Sequence, residues 1–468
     1  MKIHGRHWFP FIVCCLLPVP AMAAQGGTLV LTDTWMGISS LALFVVAYLL
    51  VMAEEFTDLR KSKPVMVAAG LIWGLIAVGH IRNGTVDLVQ RHLRDSLEEY
   101  AELFLFLLTA MTYVNSMTER NVFEALRSWL AHRGFGYRKL FWITGIIAFF
   151  LSAALDNMTT ALVLGAVVIA VGVDNRRFVA LACINIVVAA NAGGAFSPFG
   201  DITTLMVWQA NVVTFGEFFR LFVPAAVNFV VPALIMHFAV PSEVPAPAGE
   251  NVVMKRGAKR IMLLFGLTVA TAVGFHNYLD LPPFLGMMMG MAYLQLFGFY
   301  LRKTHVPKAT DEPYYHDAGD IDALDMYRYV ARAEWDTLMF FYGVILCVGG
   351  LGYLGYLAVA SKLVYVGLGA TIANTAVGVL SAVVDNIPVM AAVLHMNPAM
   401  SREQWLLITL TAGVGGSLLS IGSAAGVALM GQARGRYTFF SHLKWTPAIA
   451  AGYAASILVH LWLNAGLH

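Results

Sequence analysis

Charge is what this chain has least of. Of its 468 residues only 12% are charged, 30 Lys or Arg against 28 Asp or Glu, about half the share of an ordinary globular domain. The formal net charge of +2 supplies no basic field for holding nucleic acid. Cysteine is also scarce. Cys14 and Cys15 sit in the N-terminal apolar run, while Cys183 and Cys347 stand alone in apolar stretches, so neither a disulfide framework nor a thiolate metal site is expected. No His-Glu-x-x-His signature of a zinc hydrolase occurs. The chain reads as a non-enzyme that needs no cofactor.

Hydrocarbon fills the space that charge leaves. The chain is 59% hydrophobic with a mean hydropathy of +0.71, and apolar runs long enough to span recur along most of it. This predicts an all-α polytopic membrane protein with the lipid bilayer as its solvent. Residues 1–24 read as a cleaved signal peptide: Lys2 and Arg6 precede "FPFIVCCLLPVPAMA", which ends in Ala21-Met22-Ala23. The rival reading is an uncleaved first anchor broken by proline.

The chain then states one plan twice. Residues 28–240 hold spans near 35–53, 64–80, 100–117 and 218–240, a divided stretch at 140–172 with "LDNMT" at its middle, and a segment at 178–212 broken by "NAGGAFSPFGD". A polar, proline-bearing linker, 241–260, separates the halves. Residues 261–468 repeat the order: spans near 261–276, 283–301, 336–356 and 444–464, a stretch at 363–396 centred on "VVDNIP", and a segment at 404–431 broken by "GVGGSLLSIGSAAG". Asp156-Asn157 matches Asp385-Asn386, and Gly193-Gly194 matches Gly415-Gly416.

Basic residues orient the plan. If 140–172 and 363–396 each enter and leave on one side, the Lys/Arg clusters at 60–63, 120–139, 176–177, 255–260, 302–332 and 434–444 share one face. The positive-inside rule makes that face cytoplasmic, as it does the linker, and puts both mature termini in the periplasm. The two halves then run in opposite directions, giving an inverted repeat with two re-entrant hairpins and two discontinuous helices. The charge parity is unchanged if each divided stretch spans twice; the mid-segment Asp-Asn tips favour re-entry.

Irregular backbone at membrane depth is tolerated only where it lines a buried or watered cavity, and discontinuous helices bind ions and substrates near the midplane. The residues at these breaks are oxygen-rich: Asp156, Asp201 and Asp385, with Asn157, Asn191, Thr203, Thr204, Asn386, Ser420 and Ser423. Hard cations want such ligands. No Lys or Arg lies near a break within these four elements, so a small inorganic cation is the expected ligand, with Asp156, Asp201 and Asp385 as its metal-binding carboxylates. Burial in an apolar medium favours the protonated acid, so a proton and a cation compete for one site and the outcome is exchange. Asp156 and Asp385 are the expected competing groups. An Asp buried in a membrane is functional by default, although Asp156 also has the position of a helix N-cap, and Ser420 and Ser423 also suit helix packing. Glu102 and Asp336, at the starts of corresponding spans, are candidate proton-relay groups; interfacial solvation accounts for them as well. His237, His395, His460 and Met287–Met289 read as packing residues.

"LDNMTTALVLGAVVIAVG", "NAGGAFSPFGDITTLMVWQA" and "SAVVDNIPVMAAV" resemble the NhaD-type sodium/proton antiporters of the ion-transporter superfamily, over nearly the whole chain after the signal. The resemblance implies export of Na⁺ or Li⁺ driven by inward protons across a bacterial inner membrane, by a homodimer with a scaffold and a moving part. The family's functional residues match at Asp156, Asn157, Asn191, Asp201, Thr203, Thr204, Ser381, Asn386, Ser420 and Ser423. The nearest rival is an arsenite or dicarboxylate carrier on the same fold; the resemblance implies neutral Ser-Asn-Thr tips in the superfamily's dicarboxylate carriers, whereas both tips here carry Asp. An intramembrane aspartyl protease needs two buried Asp residues, one in a Gly-x-Gly-Asp setting, which "SAALDN" and "SAVVDN" do not provide.

Overall fold

The computed structural model describes residues 31–57, 59–81, 86–244, 251–304 and 326–466. The expected signal peptide, linker residues 245–250 and the C-terminal His468 lie outside the described residues. Among the described residues every regular element is helical. Eight helices there are long and apolar enough to cross a bilayer, or nine if one bent pair is a single span. The chain is an all-α polytopic membrane protein.

In the first half, α1 (Trp35–Met52) packs on α2 (Ser62–Ile81). Next comes α3 (Val86–Glu119), which starts well before the expected span near 100–117. Its polar first turns still carry a helical stripe, with Val89, Ser96, Tyr100 and Leu103 buried, so the helix continues although its hydropathy falls. The amphipathic α4 (Val122–His132) lies against α6 (Asn157–Val171), the second arm of a divided element whose first arm is α5 (Tyr137–Ser152). Phe123 and Leu130 of α4 are buried, whereas Trp129 stays 46% exposed, its ring meeting Phe135 and the Arg133 guanidinium at the rim. The described linker closes over this helix: Val252 donates its N–H to Ser128 Oγ at 3.0 Å and Lys255 to the Arg120 carbonyl at 3.0 Å. A nearly wholly buried α7 (Arg176–Gly194) runs into a break and then α8 (Ile202–Gln209), followed by α9 (Phe222–His237).

The second half holds α10 (Ala258–Leu279) and α11 (Pro283–Lys303), packed on each other and on α3, then α12 (Trp335–Tyr353), packed on α2 and α3. A short α13 (Tyr356–Ser361), continued by a wide π turn to Val366, meets α14 (Ala370–Leu380) at 117°. The expected arm starting at 363 therefore starts at Ala370. The corner falls at Gly369, whose φ of +77° is open to glycine and strained for other residues. After α14 come α15 (Asn386–Met396), α16 (Arg402–Gly415), a break, α17 (Ala424–Ala433) and α18 (Thr446–Leu463), which packs on α9.

Each divided element packs on its broken helix in the same way. α5 lies along α7 and α14 along α16. A Cβ on Gly193 would collide with the Phe149 carbonyl oxygen, and one on Gly415 with the Gly378 carbonyl oxygen. These glycines let two backbones touch where no side chain fits. The second arms cross over to the opposite half: α6 packs on α17 and α15 on α8. All four breaks thereby come to one place in the middle of the molecule.

Candidate ion-binding site

Local chemistry ends each half-helix at this place. Asp156 caps α6, accepting from Thr159 N at 2.8 Å and Thr159 Oγ1 at 2.6 Å. Asp201 caps α8 in a reciprocal box with Thr204, and Ser423 caps α17 by accepting from Gly426 N at 3.3 Å. Such caps contribute about 1 kcal/mol each, and they are why the chain stops and restarts at these residues. The breaks surround a cavity of about 670 Å³ lined by Asp156, Asn157, Asn191, Asp201, Asp385, Asn386 and Ser423.

One carboxylate joins the parts. Asp201 Oδ2 accepts a hydrogen bond from Asn157 Nδ2 and another from Asn386 Nδ2, each at 2.9 Å, while Oδ1 accepts from Thr203 N at 3.2 Å. The two Asn-bearing tips thus converge on a single oxygen of the α7–α8 break. Asn157 is itself oriented by Ser152 Oγ, which donates to its Oδ1 at 2.7 Å. The amides meet the carboxylate through nitrogen, whereas composition alone had suggested that they offer oxygen. Asn191 donates Nδ2 to Ser417 Oγ at 2.8 Å and lines the cavity with a buried Oδ1 that has no hydrogen-bond partner among the described residues. Thr203 Oγ1 is likewise buried and unpartnered there. Free buried oxygens beside a cradled carboxylate are what a desolvated cation requires.

The other expected residues stand farther back. Thr204 Oγ1 donates to the carbonyls of Ser197 and Asp201, and Ser381 Oγ to the Ala412 carbonyl at 3.0 Å. Ser420 is buried outside the cavity lining. Glu102 is half-buried on α3 and does not line the cavity, and Asp336 is bonded to Ser62 Oγ. Asp156, Asp201 and Asp385 share the cavity without forming one cluster: among the described residues no three His, Cys, Asp or Glu come together as a metal site. Cys183 and Cys347 are buried as free thiols.

Three charged residues enter the cavity unannounced: Glu54, Lys61 and Glu334. Lys61, from the turn before α2, places Nζ 3.3 Å from Asp385 Oδ2. It belongs to the "RKSK" run that sequence reading assigned to topology alone. Glu334, just before α12, also lines the cavity, and its Oε2 accepts from Thr337 Oγ1 at 3.2 Å. Burial, and then the charge of Asp156, push its carboxyl up to about 7. The signal for it is "AEWD": of two acids at this helix start, Asp336 is bonded to Ser62 and Glu334, at the N-cap, lines the cavity.

A helical membrane protein with four backbone breaks around one carboxylate-lined cavity has the form of a membrane transporter. A family model described as a citrate transporter matches residues 28–413. The chain is 57% identical to the Na(+)/H(+) antiporter NhaD of Alkalimonas amylolytica, covering 98% of this chain and 97% of that one. It is 56% identical to the protein of that name from Vibrio cholerae, covering 95% of each, and 53% identical to that from Halomonas elongata, covering 99% and 96%. The chain belongs to the NhaD family of sodium/proton antiporters.

Proposed function

We propose that the chain exports Na⁺ or Li⁺ from the cytoplasm in exchange for protons entering it, by alternating access. The carrying observation is the Asp201 carboxylate held by one asparagine from each divided element. A protonated acid and a carboxylate–cation pair carry the same net charge, so either suits a buried site and each expels the other. Apparent cation affinity should then weaken as pH falls, by up to tenfold per unit for one proton against one cation. The reading calls for no resident cofactor and no covalent chemistry.

The remaining parts follow from this reading. The paired glycine contacts, Gly193 with Phe149 and Gly415 with Gly378, support two inverted repeats, 28–240 and 261–468, each with a re-entrant hairpin. Segments 140–212 and 363–431 move as one elevator-like body against the other spans, because broken backbone cannot be dragged through lipid. The protein works as a homodimer in a bacterial inner membrane, with both mature termini periplasmic. Asp156, Asp385, Asn191 and Ser423 complete the site around Asp201, and Glu102 and Asp336 serve as relay or anchoring groups.

Anion transport is the second reading, favoured by the citrate description of the family model and by the ammonium of Lys61 in the cavity. Against it, a polycarboxylate would face Glu54, Asp156, Asp201, Asp385 and Glu334 with one lysine, Lys61, in the lining to offset them. A protease reading needs two carboxylates sharing a proton, yet Asp156 is spent on a helix cap and Asp385 on Lys61. Proton movement in everted membrane vesicles tests the choice. Adding Na⁺ or Li⁺ should expel protons and citrate should not; citrate-driven movement without a cation response would favour the anion carrier.

A further inference from the structure

Lys61 has no part in the exchange as argued so far, yet it is held at the cavity wall with care. Its backbone N–H donates to Glu54 Oε1 at 3.4 Å, and the next residue, Ser62, is bonded to the Asp336 carboxylate. Its ammonium lies 4.5 Å from the centre of the Phe340 ring and 3.3 Å from Asp385 Oδ2. Lysine and aspartate side chains are each 20% exposed, so solvent screens the pair only in part. Glu334 stands within range of the same positive charge. The cavity therefore already contains one cation, on a tether.

We propose that Lys61 is a tethered counter-ion that occupies Asp385 and competes with the transported cation for it. This rests on the cation-exchange reading. An ammonium and a desolvated alkali ion ask for the same partner, a carboxylate oxygen, and one oxygen at 3.3 Å from Nζ cannot serve both at full strength. Asp385 follows α14 and precedes α15, whereas Lys61 precedes α2, so the pair also joins the divided element to the spans around it. An arriving cation that draws Asp385 away from Lys61 unfastens that join. The lysine thereby raises the cation concentration at which the site fills.

The test is Na⁺ binding to the purified full chain by titration calorimetry, run beside exchange in vesicles. Lys61→Gln should lower the Na⁺ dissociation constant and the half-saturating Na⁺ about tenfold, equivalent to about 1.4 kcal/mol, and Lys61→Arg should restore wild-type values. In an Asp385→Asn background, Lys61→Gln should change neither. A Lys61→Gln protein that is folded by thermal midpoint and binds Na⁺ as before, or more weakly, overturns the proposal. Tighter binding in Lys61→Gln with no exchange in the wild type upholds the competitor and sinks the antiport reading. A wild type that binds no Na⁺ sinks both.

Discussion

Removing the charge of Asp201 while keeping its shape is the sharpest perturbation this site offers. In Asp201→Asn the new Oδ1 can stand where Oδ2 accepts from Asn157 and Asn386, both at 2.9 Å, so the two amide bonds survive in weaker, neutral form. The new Nδ2 then faces Thr203 N–H, 3.2 Å from the present Oδ1, and two donors oppose each other. One unsatisfied buried donor costs about 1–3 kcal/mol, which a chain with so much buried surface withstands with a modest fall in thermal midpoint. The loss to a bound cation is larger. A unit charge about 4 Å away at an effective dielectric near 20 contributes about 4 kcal/mol, roughly a thousandfold in affinity. Half-saturating Na⁺ for proton movement in everted vesicles should thus rise beyond the usable range, while the purified variant still melts cooperatively. A well-folded Asp201→Asn protein whose half-saturating Na⁺ stays within about threefold of wild type would refute the argument and move the ion away from this carboxylate.

Three further outcomes follow from particular contacts. Glu334 is protonated below its raised value of about 7 and negative above it, so Glu334→Gln resembles the wild-type side chain in acid and departs from it only in alkali. Exchange in that variant should match wild type near pH 6 and lose roughly threefold to tenfold in Na⁺ affinity above pH 8, moving the onset of activity to more alkaline pH; equal loss at both pH values would contradict this. Gly193→Ala and Gly415→Ala each drive a methyl into a carbonyl oxygen of the packed neighbouring helix, which should cost about 3 kcal/mol or more and lower both the thermal midpoint and the yield of folded protein; alanine at neither position mattering would disprove the close backbone contacts. Cysteines introduced at Arg176 and Arg256 should react with a membrane-impermeant reagent from the cytoplasm and one at Asn277 from outside; labelling of Arg256 and Asn277 from the same side would remove the inverted repeat.

Much of this molecule is legible before any coordinate is seen, because lipid imposes simple rules. Long apolar runs must be helices, and the sequence places them nearly where they occur: Trp35–Met52, Ser62–Ile81 and Thr446–Leu463 fall within a few residues of the expected spans. Acids inside apolar runs cost enough to mark themselves, so Asp156, Asp201 and Asp385 could be chosen from 28 acidic residues without a fold. The cap at Asp156 is likewise legible, since a polar side chain opening an apolar helix has a local cause, whereas the caps at Asp201 and Ser423 are findings of the structure. What no local rule contains is contact across the chain. That Asn157 and Asn386 grip the same oxygen depends on α6 crossing to α17 and α15 crossing to α8. The expected span near 100–117 misses the polar start of α3, whose buried stripe comes from packing against α2 and α12. Lys61 and Asp385 are separated by 324 positions in sequence and by 3.3 Å in space, and only packing can convert the first distance into the second.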